Sequence, residues 1–262
     1  MKIPNDVNEA FSIFEAAKFL ATLDENNVPN IAMIATMQPW DEEHLIFGSF
    51  LMWQTEKNLN NGSPVTASVM TQDFKSFQVK GEFSGFETKG EKYDALSKLD
   101  LFRYSAIGFL RAAGTIKVNE VKPLKLSMMG VAREWISTKI GGKRLKEFSN
   151  GKIVNPMVVR NTSVLMGAKY LTVLKDGELE QFPVLGMRPV KDYLAIRADL
   201  PLEEGDFVAI SAFNMKLKAY QLKGEYIGTR RTRGIKLGYV KVENVLSQTP
   251  PLVSKEVPSD NF

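Results

Sequence analysis

Thr55, Lys57 and Asn58 place a hydroxyl, an ammonium and an amide within four residues. An anion is best held by such a set, one cation with neutral donors that converge on the same oxygen-rich group. Taken alone, Thr-Glu-Lys-Asn reads equally as a solvated helix start, with Thr55 capping and Lys57 in water. Other chemistry is sparse. There is no Cys, which removes thiol nucleophiles, disulfides and thiolate metal sites. His44 is the single His and lies in the polar run WDEEH before a strand. Neither a metal cluster nor a nucleophilic triad can be assembled around it, so it reads as a surface residue and no metal is expected. Trp40, Trp53 and Trp135 could stack on a flat ring, although aromatics more commonly serve cores and interfaces. Trp53 stands out because it adjoins the Thr55–Asn58 stretch.

The elements that must position these residues come in two sets. Phe77 to Gly85 reads FQVKGEFSG and Tyr220 to Gly228 reads YQLKGEYIG, and the match runs back without a gap to Gly62 and Gly205, nine of 24 pairs being identical at an offset of 143. GTIKVNEV at Gly114 meets GYVKVENV at Gly238, and FLATLDENNVPN at Phe19 meets YLTVLKDGELE at Tyr170. Three blocks recur in one order, so the chain is read as two copies of a domain. Gln78 and Lys80 recur as Gln221 and Lys223, which fits a hydrogen bond common to both copies as well as a ligand contact. Gly81 and Gly224 are expected at a bend or bulge in a strand.

Within each copy, short β-branched and aromatic runs alternate with turn residues, and six strands per copy are expected. In copy one these are Lys18 to Leu23, Asn30 to Met37, Leu45 to Ser49, Val65 to Met70, Phe74 to Phe83 and Gly114 to Val121. DENNVP at Asp24 and KDGE at Lys175 supply hairpin turns, the second through its Asp-Gly pair. Asn5 or Asp6 can cap a first helix that places Val7, Phe11, Phe14 and Ala17 on one face. Asn155 and Pro156 form a cap and first turn for a helix through Thr162. A helical pattern falls around Tyr93 to Leu101. The expected organisation is a first copy over 1–126, a helical linker over 127–160, a reduced second copy over 161–252 and a tail over 253–262. Copy one carries FLMWQTEKNLNN where copy two has only DLPLEE, and this shortening by six residues drops the offset from 149 to 143.

With 34 basic and 30 acidic residues, the net charge of +4 is mild beside nucleic-acid binders and suits a small anionic ligand. The opening MKIPNDVNEAF breaks into Pro, Asn and Asp before any apolar run, and no apolar stretch approaches the roughly 18 residues of a spanning helix. Neither nucleic acid nor membrane is expected as a partner, and the chain is read as cytoplasmic.

The order in copy one, a helix, the FLATLDENNVPN hairpin, LIFGS, TEKNLNNGSPV and FQVKGE, resembles the pyridoxamine 5'-phosphate oxidase-like, FMN-binding split-barrel family over Val7 to Lys125. A reduced version covers Met166 to Leu252. The resemblance implies a mainly β chain of two tandem six-stranded split barrels with a few peripheral helices, and a flavoprotein oxidoreductase that acts on a small-molecule substrate. It implies FMN at a seam between facing barrels, in an internal pseudo-dimer or a homodimer. Thr55 and Lys57, with Asn58, would hold the phosphate. Ala35, Thr36 and Met37 on the second strand, with Gly48 and Ser49 on the third, would line the flavin, Gln78 would reach its polar edge, and Trp53 lies close by. The chain departs from the family's pattern in having Glu56 where Arg often precedes the Lys, and in having no Arg at Ile31 or Ala32. Arg188, Arg197 or Arg230 of copy two are candidates to reach the ligand. The tail after Val245 contains no Arg, which argues against pyridoxamine phosphate oxidase activity proper. A non-catalytic module for flavin or another phosphorylated ligand, and a reductase using the deazaflavin F420, are the alternatives.

Overall fold

The β-branched and aromatic runs fold into two seven-stranded antiparallel sheets. A computed structural model describes residues 1–99, 109–141, 154–165, 167–214, 218–232, 234–249 and 253–258. Its contacts divide into two units, residues 1–125 with 175–181, and residues 126–174 with 182–262. The described residues 127–141 and 154–160 fall in the second of these.

The first unit begins with α1 (Asn5–Ser12), then β1 (Ala17–Leu23), β2 (Pro29–Met33), β3 (Gln38–Pro39) and β4 (His44–Ser49). It continues with α2 (Trp53–Asn58), β5 (Pro64–Met70), β6 (Ser76–Glu87), α3 (Glu91–Ser97) and β7 (Ala112–Pro123). Its sheet order is β2-β1-β5-β6-β7-β4-β3. Seven strands replace the expected six because the run Asn30 to Met37 does not stay on one edge. After Met33 the chain turns, with Met37 N–H donating to Ile34 O at 3.2 Å, and rejoins the opposite edge as β3 against β4. Only four residues separate these two outermost strands, a reach of at most roughly 18 Å, whereas seven flat strands would set them about 29 Å apart. The sheet must roll so that its edges approach. Ile3, Phe11, Leu20, Phe47, Val79 and Ile116 belong to the core inside it.

The second sheet and its helices comprise α4 (Met128–Gly141), α5 (Pro156–Thr162), β8 (Gly167–Lys175), β9 (Glu178–Pro183), whose residues 178–181 group with the first unit, and β10 (Arg188–Val190). β11 (Tyr193–Arg197), β12 (Phe207–Asn214), β13 (Ala219–Thr232) and β14 (Ile235–Ser247) complete it. The order β10-β11-β14-β13-β12-β8-β9 is the first sheet's order strand for strand. Register repeats too. Ser68 faces Gln78 and Val65 faces Gly81 in the first sheet, and Ser211 faces Gln221 and Val208 faces Gly224 in the second. Phe77–Gly85 and Tyr220–Gly228 thus occupy equivalent strands.

Each of those strands breaks register at its glycine, between Lys80 and Gly81 and between Lys223 and Gly224. A Cβ on Gly81 would meet Lys117 O at 2.3 Å, and one on Gly224 would meet Lys241 O at 1.9 Å. The glycines recur because the neighbouring backbone passes where a side chain would stand. The Asp176-Gly177 turn has φ of 51° and 81°, the pair of positive values that a two-residue hairpin requires.

Two peripheral expectations change. α1 has Pro4 at its cap position and no side-chain cap bond, so neither Asn5 nor Asp6 caps it, and it ends before Phe14, which is half exposed. α3 closes at Ser97, and the rest of the expected helix, through Leu101, reaches beyond the described residues. The described part of the tail is tied down, with a bridge between Leu246 and Glu256 and Val257 N–H donating to Val245 O at 2.8 Å. The Asn155 cap is present, its side chain accepting from Met157 N–H at 2.9 Å. Residues 142–153, 250–252 and 259–262 lie outside the described residues, as does Arg233 in the TRRTRGIKL crossover.

Candidate functional site

β4 delivers Gly48 and Ser49 to its end, and six-residue α2 follows almost at once. α2 has two faces. Thr55 and Asn58, three apart, turn inward, and Trp53 and Lys57, four apart, turn outward. Thr55 is 1% exposed, and its hydroxyl accepts from Asn30 Nδ2 at 3.3 Å. Asn58 Nδ2 donates to Thr22 Oγ1 at 3.0 Å, and Gln54 Nε2 donates to Asn58 Oδ1 at 3.2 Å. These two residues fasten α2 to the β1–β2 hairpin through a buried polar network.

On the outer face Trp53 is 52% exposed, and the Arg111 guanidinium lies over its ring at 4.4 Å from the centroid. Arg111 Nη1 donates to Glu56 Oε2 at 2.9 Å, and Glu56 also accepts from the Ser49 hydroxyl. Arg111 N–H donates to Ser49 O at 2.9 Å, which pins the start of β7 to the end of β4. Lys57 is exposed and has neither ion pair nor hydrogen bond among the described residues. The Glu56 carboxylate is thus neutralised by an Arg from another strand. Sequence reasoning missed Arg111, which stands 62 residues beyond Ser49; only the pairing of Ser49 with Ala112 brings it here.

The remaining expected residues are dispersed. Ala35 and Thr36 sit in the turn between β2 and β3 and not on a strand. Thr36 Oγ1 accepts from Gly48 N–H at 2.9 Å, which ties that turn to β4. Met37 is fully buried in the core, so its side chain faces away from any surface ligand. Gln78 is buried and spends its amide on the segment 180–181. Its Oε1 accepts from Gln181 N–H and its Nε2 donates to Glu180, both at 3.1 Å. Lys80 joins the same segment, 2.5 Å from both Glu178 and Glu180, and hydrogen bonds to it hold the Glu180 carboxyl below its ordinary value against the opposing effect of burial. Trp40 packs beside Tyr93 and Leu96.

His44 Nδ1 lies 2.8 Å from Asp41 Oδ1, and no group of metal-ligating side chains occurs among the described residues. In the second unit Arg197 is bound bidentately by Asp199, at 2.7 Å for each bond, and Arg230 Nη1 donates to Thr229 O at 3.0 Å.

Each barrel also buries a lysine at one equivalent position, Lys18 in Ala-Lys-Phe-Leu and Lys169 in Ala-Lys-Tyr-Leu, at 2% and 1% exposure. Burial pushes both down to about 8. Lys169 Nζ donates to Val164 O at 2.8 Å and Leu185 O at 2.9 Å. Near it, burial pushes Glu134 of α4 up to about 7 while its carboxylate accepts from Gly186 N–H. The signal was in the repeat, one residue before the matched block begins.

Two seven-stranded antiparallel sheets of one repeated strand order make the chain mainly β. No family model and no curated protein matches the chain. Among solved structures it is similar to HupZ of Group A Streptococcus, at 22% identity over 47% of this chain and 94% of that one, with a TM-score of 0.40. An FMN-binding protein from Syntrophomonas wolfei subsp. wolfei is 20% identical over 46% of this chain and 84% of its own, also at 0.40. An F420 reductase is 18% identical over 46% of this chain and 98% of its own, at 0.37.

Proposed function

We propose that the first unit binds FMN and that the chain is a flavin-dependent oxidoreductase acting on a small molecule. One observation carries the reading. Among the described residues Lys57 has no counter-ion; it stands on the outer face of α2 with Trp53, whose half-exposed ring Arg111 covers, on the segment where the sequence resembles a flavin phosphate loop.

The donor set fits the group. A phosphate near two negative charges calls for cations; Lys57 supplies one, and Arg111, already paired with Glu56, adds further N–H donors beside it. Glu56 would oppose it, but its carboxylate is already bound by Arg111 and Ser49. Trp53 offers an aromatic face for an apolar ring system. Thr55, Asn58 and Thr36 act one step back. The first two hold α2 on the barrel and the third holds the β2–β3 turn against Gly48, so that the cations present from a fixed frame.

FMN, when bound, supplies hydride chemistry at its ring, and the protein's task is binding and orientation. No acid or base from the chain is required, which suits a protein with one His and no Cys. The test is the absorption spectrum of the purified protein, with FMN added to the apoprotein. Flavin bands that bleach with a reduced nicotinamide at catalytic rates support the enzyme. Flavin bands without turnover reduce the reading to a binding module. An F420 spectrum replaces the cofactor, and a colourless protein with no affinity for FMN overturns the proposal.

A further inference from the structure

The second unit contains a cleft of about 560 Å³ between α4, α5 and the start of β10, a volume typical of small-molecule sites. Its walls are of two kinds. Trp135, Val159, Val164, Leu165 and Met187 give an apolar surface. Lys139, Arg160 and Arg188 bring three cations to it, and none of its lining residues is acidic.

None of the three cations has an ion-pair partner among the described residues. Arg188 Nη1 donates to Lys139 O at 3.2 Å, Lys139 Nζ stands 4.4 Å from the centroid of the Trp135 ring, and Arg160 is exposed. Trp135 has its indole N–H satisfied by Ser163 O at 3.1 Å, which fixes the ring as a wall. Ser163 also lines the cleft, and its hydroxyl is buried without a hydrogen-bond partner among the described residues. Three positive charges without an ion-pair partner among the described residues, at the edge of an apolar hollow, favour the entry of a counter-charge.

We propose that this cleft binds a small amphiphilic anion, an apolar body carrying one oxyanion head. The body lies against Trp135, Val164 and Met187, and the head is met by Arg160, Arg188 and Lys139. Of the arginines that the sequence offers to the flavin the cleft uses Arg188, but it shares no residue with the α2 surface proposed for FMN and is tested independently of it.

The full chain is titrated with 1-anilinonaphthalene-8-sulfonate, an aromatic anion whose emission rises in apolar surroundings, and with its uncharged relative N-phenyl-1-naphthylamine. One saturable site per chain is expected for the anion, with at least tenfold weaker binding of the neutral probe. Arg160→Ala is expected to weaken the anion at least fivefold with the circular dichroism unchanged, since Arg160 has no ion pair to lose among the described residues. Lys139→Gln provides a second variant, and Trp135→Phe removes energy transfer from tryptophan to the bound probe. Competition by naphthoate assigns the body to an aromatic acid and competition by octanoate to an acyl chain. Either supports the proposal, and competition by neither overturns it. Equal affinity for the two probes, or anion binding unchanged in both charge variants, also overturns it, because the probe then reports the exposed apolar side chains of α4 such as Met129 and Ile136.

Discussion

At the scale of residues, Lys57 and the buried lysines show what a charge does when its surroundings differ. Lys57 has no ion pair among the described residues and faces outward, so its contribution belongs to binding and not to folding. A charge-assisted contact is worth about 1.5 to 3 kcal/mol, so Lys57→Ala is expected to weaken FMN roughly tenfold to a hundredfold while the unfolding midpoint stays put. Isothermal titration checks it, and unchanged affinity removes the outer face of α2 from the flavin reading. Lys18 and Lys169 do the reverse. Burial lowers both to about 8, so between pH 8 and their ordinary 10.5 the unfolded chain keeps protons that the folded one has shed. Stability contributed by these groups therefore rises with pH across that window. Glu134, raised to about 7, acts oppositely, and its contribution falls as pH rises from 4.5 to 7. Urea unfolding of Lys18→Met beside the parent should show the parent gaining on the variant by on the order of 1 to 3 kcal/mol from pH 8 to 10.5. A constant difference between the two would mean that Lys18 keeps its ordinary affinity for protons.

At the scale of elements, the bulge glycines make the duplication a physical constraint. Gly81→Ala drives a methyl into Lys117 O and Gly224→Ala drives one into Lys241 O, and each should destabilise its unit by about 1 to 3 kcal/mol. Denaturant unfolding measures this, and a neutral pair of substitutions would mean that the bulges relax freely. These glycines, the hairpin at Asp176-Gly177 and the repeated register were legible in the sequence, because they rest on local backbone demands that each copy states separately. The seventh strand was not. Asn30 to Met37 carries one continuous β pattern, and only closure of the sheet decides that Met33 ends one edge and Gln38 begins the other. The site divides in the same way. That Thr55, Lys57 and Asn58 share a short helix follows from adjacency, but which face each takes depends on Asn30 and Thr22, and Arg111 arrives through a strand pairing that no local pattern announces. Asn58→Ala should accordingly loosen α2 and raise its amide hydrogen exchange without unfolding the barrel, because it removes a buried hydrogen bond from one helix alone.

At the scale of the whole molecule, duplication and its one unequal segment together fix a stoichiometry. The two units repeat strand order and register, yet α2 exists only in the first. The equivalent stretch of the second, Asp199 to Glu204, is half as long and forms no helix, and its Asp199 is bound by Arg197. It offers neither an outward Lys nor a Trp at the matching positions. A split barrel without that helix lacks the cations that the proposed flavin site depends on, so the chain is expected to bind at most one FMN. Titration of apoprotein with FMN, read by absorbance and by quenching of flavin fluorescence, gives the number directly. Two flavins per chain would defeat the assignment of the site to α2, since the second unit would then be binding flavin by other residues. Mass measurement of the loaded protein in solution separates the arrangements that give one. One flavin on a strict monomer supports a chain that completes its own site. One flavin per chain found only in a dimer assigns completion of the site to a second copy, in which case dilution below the dimer's dissociation constant should release the cofactor.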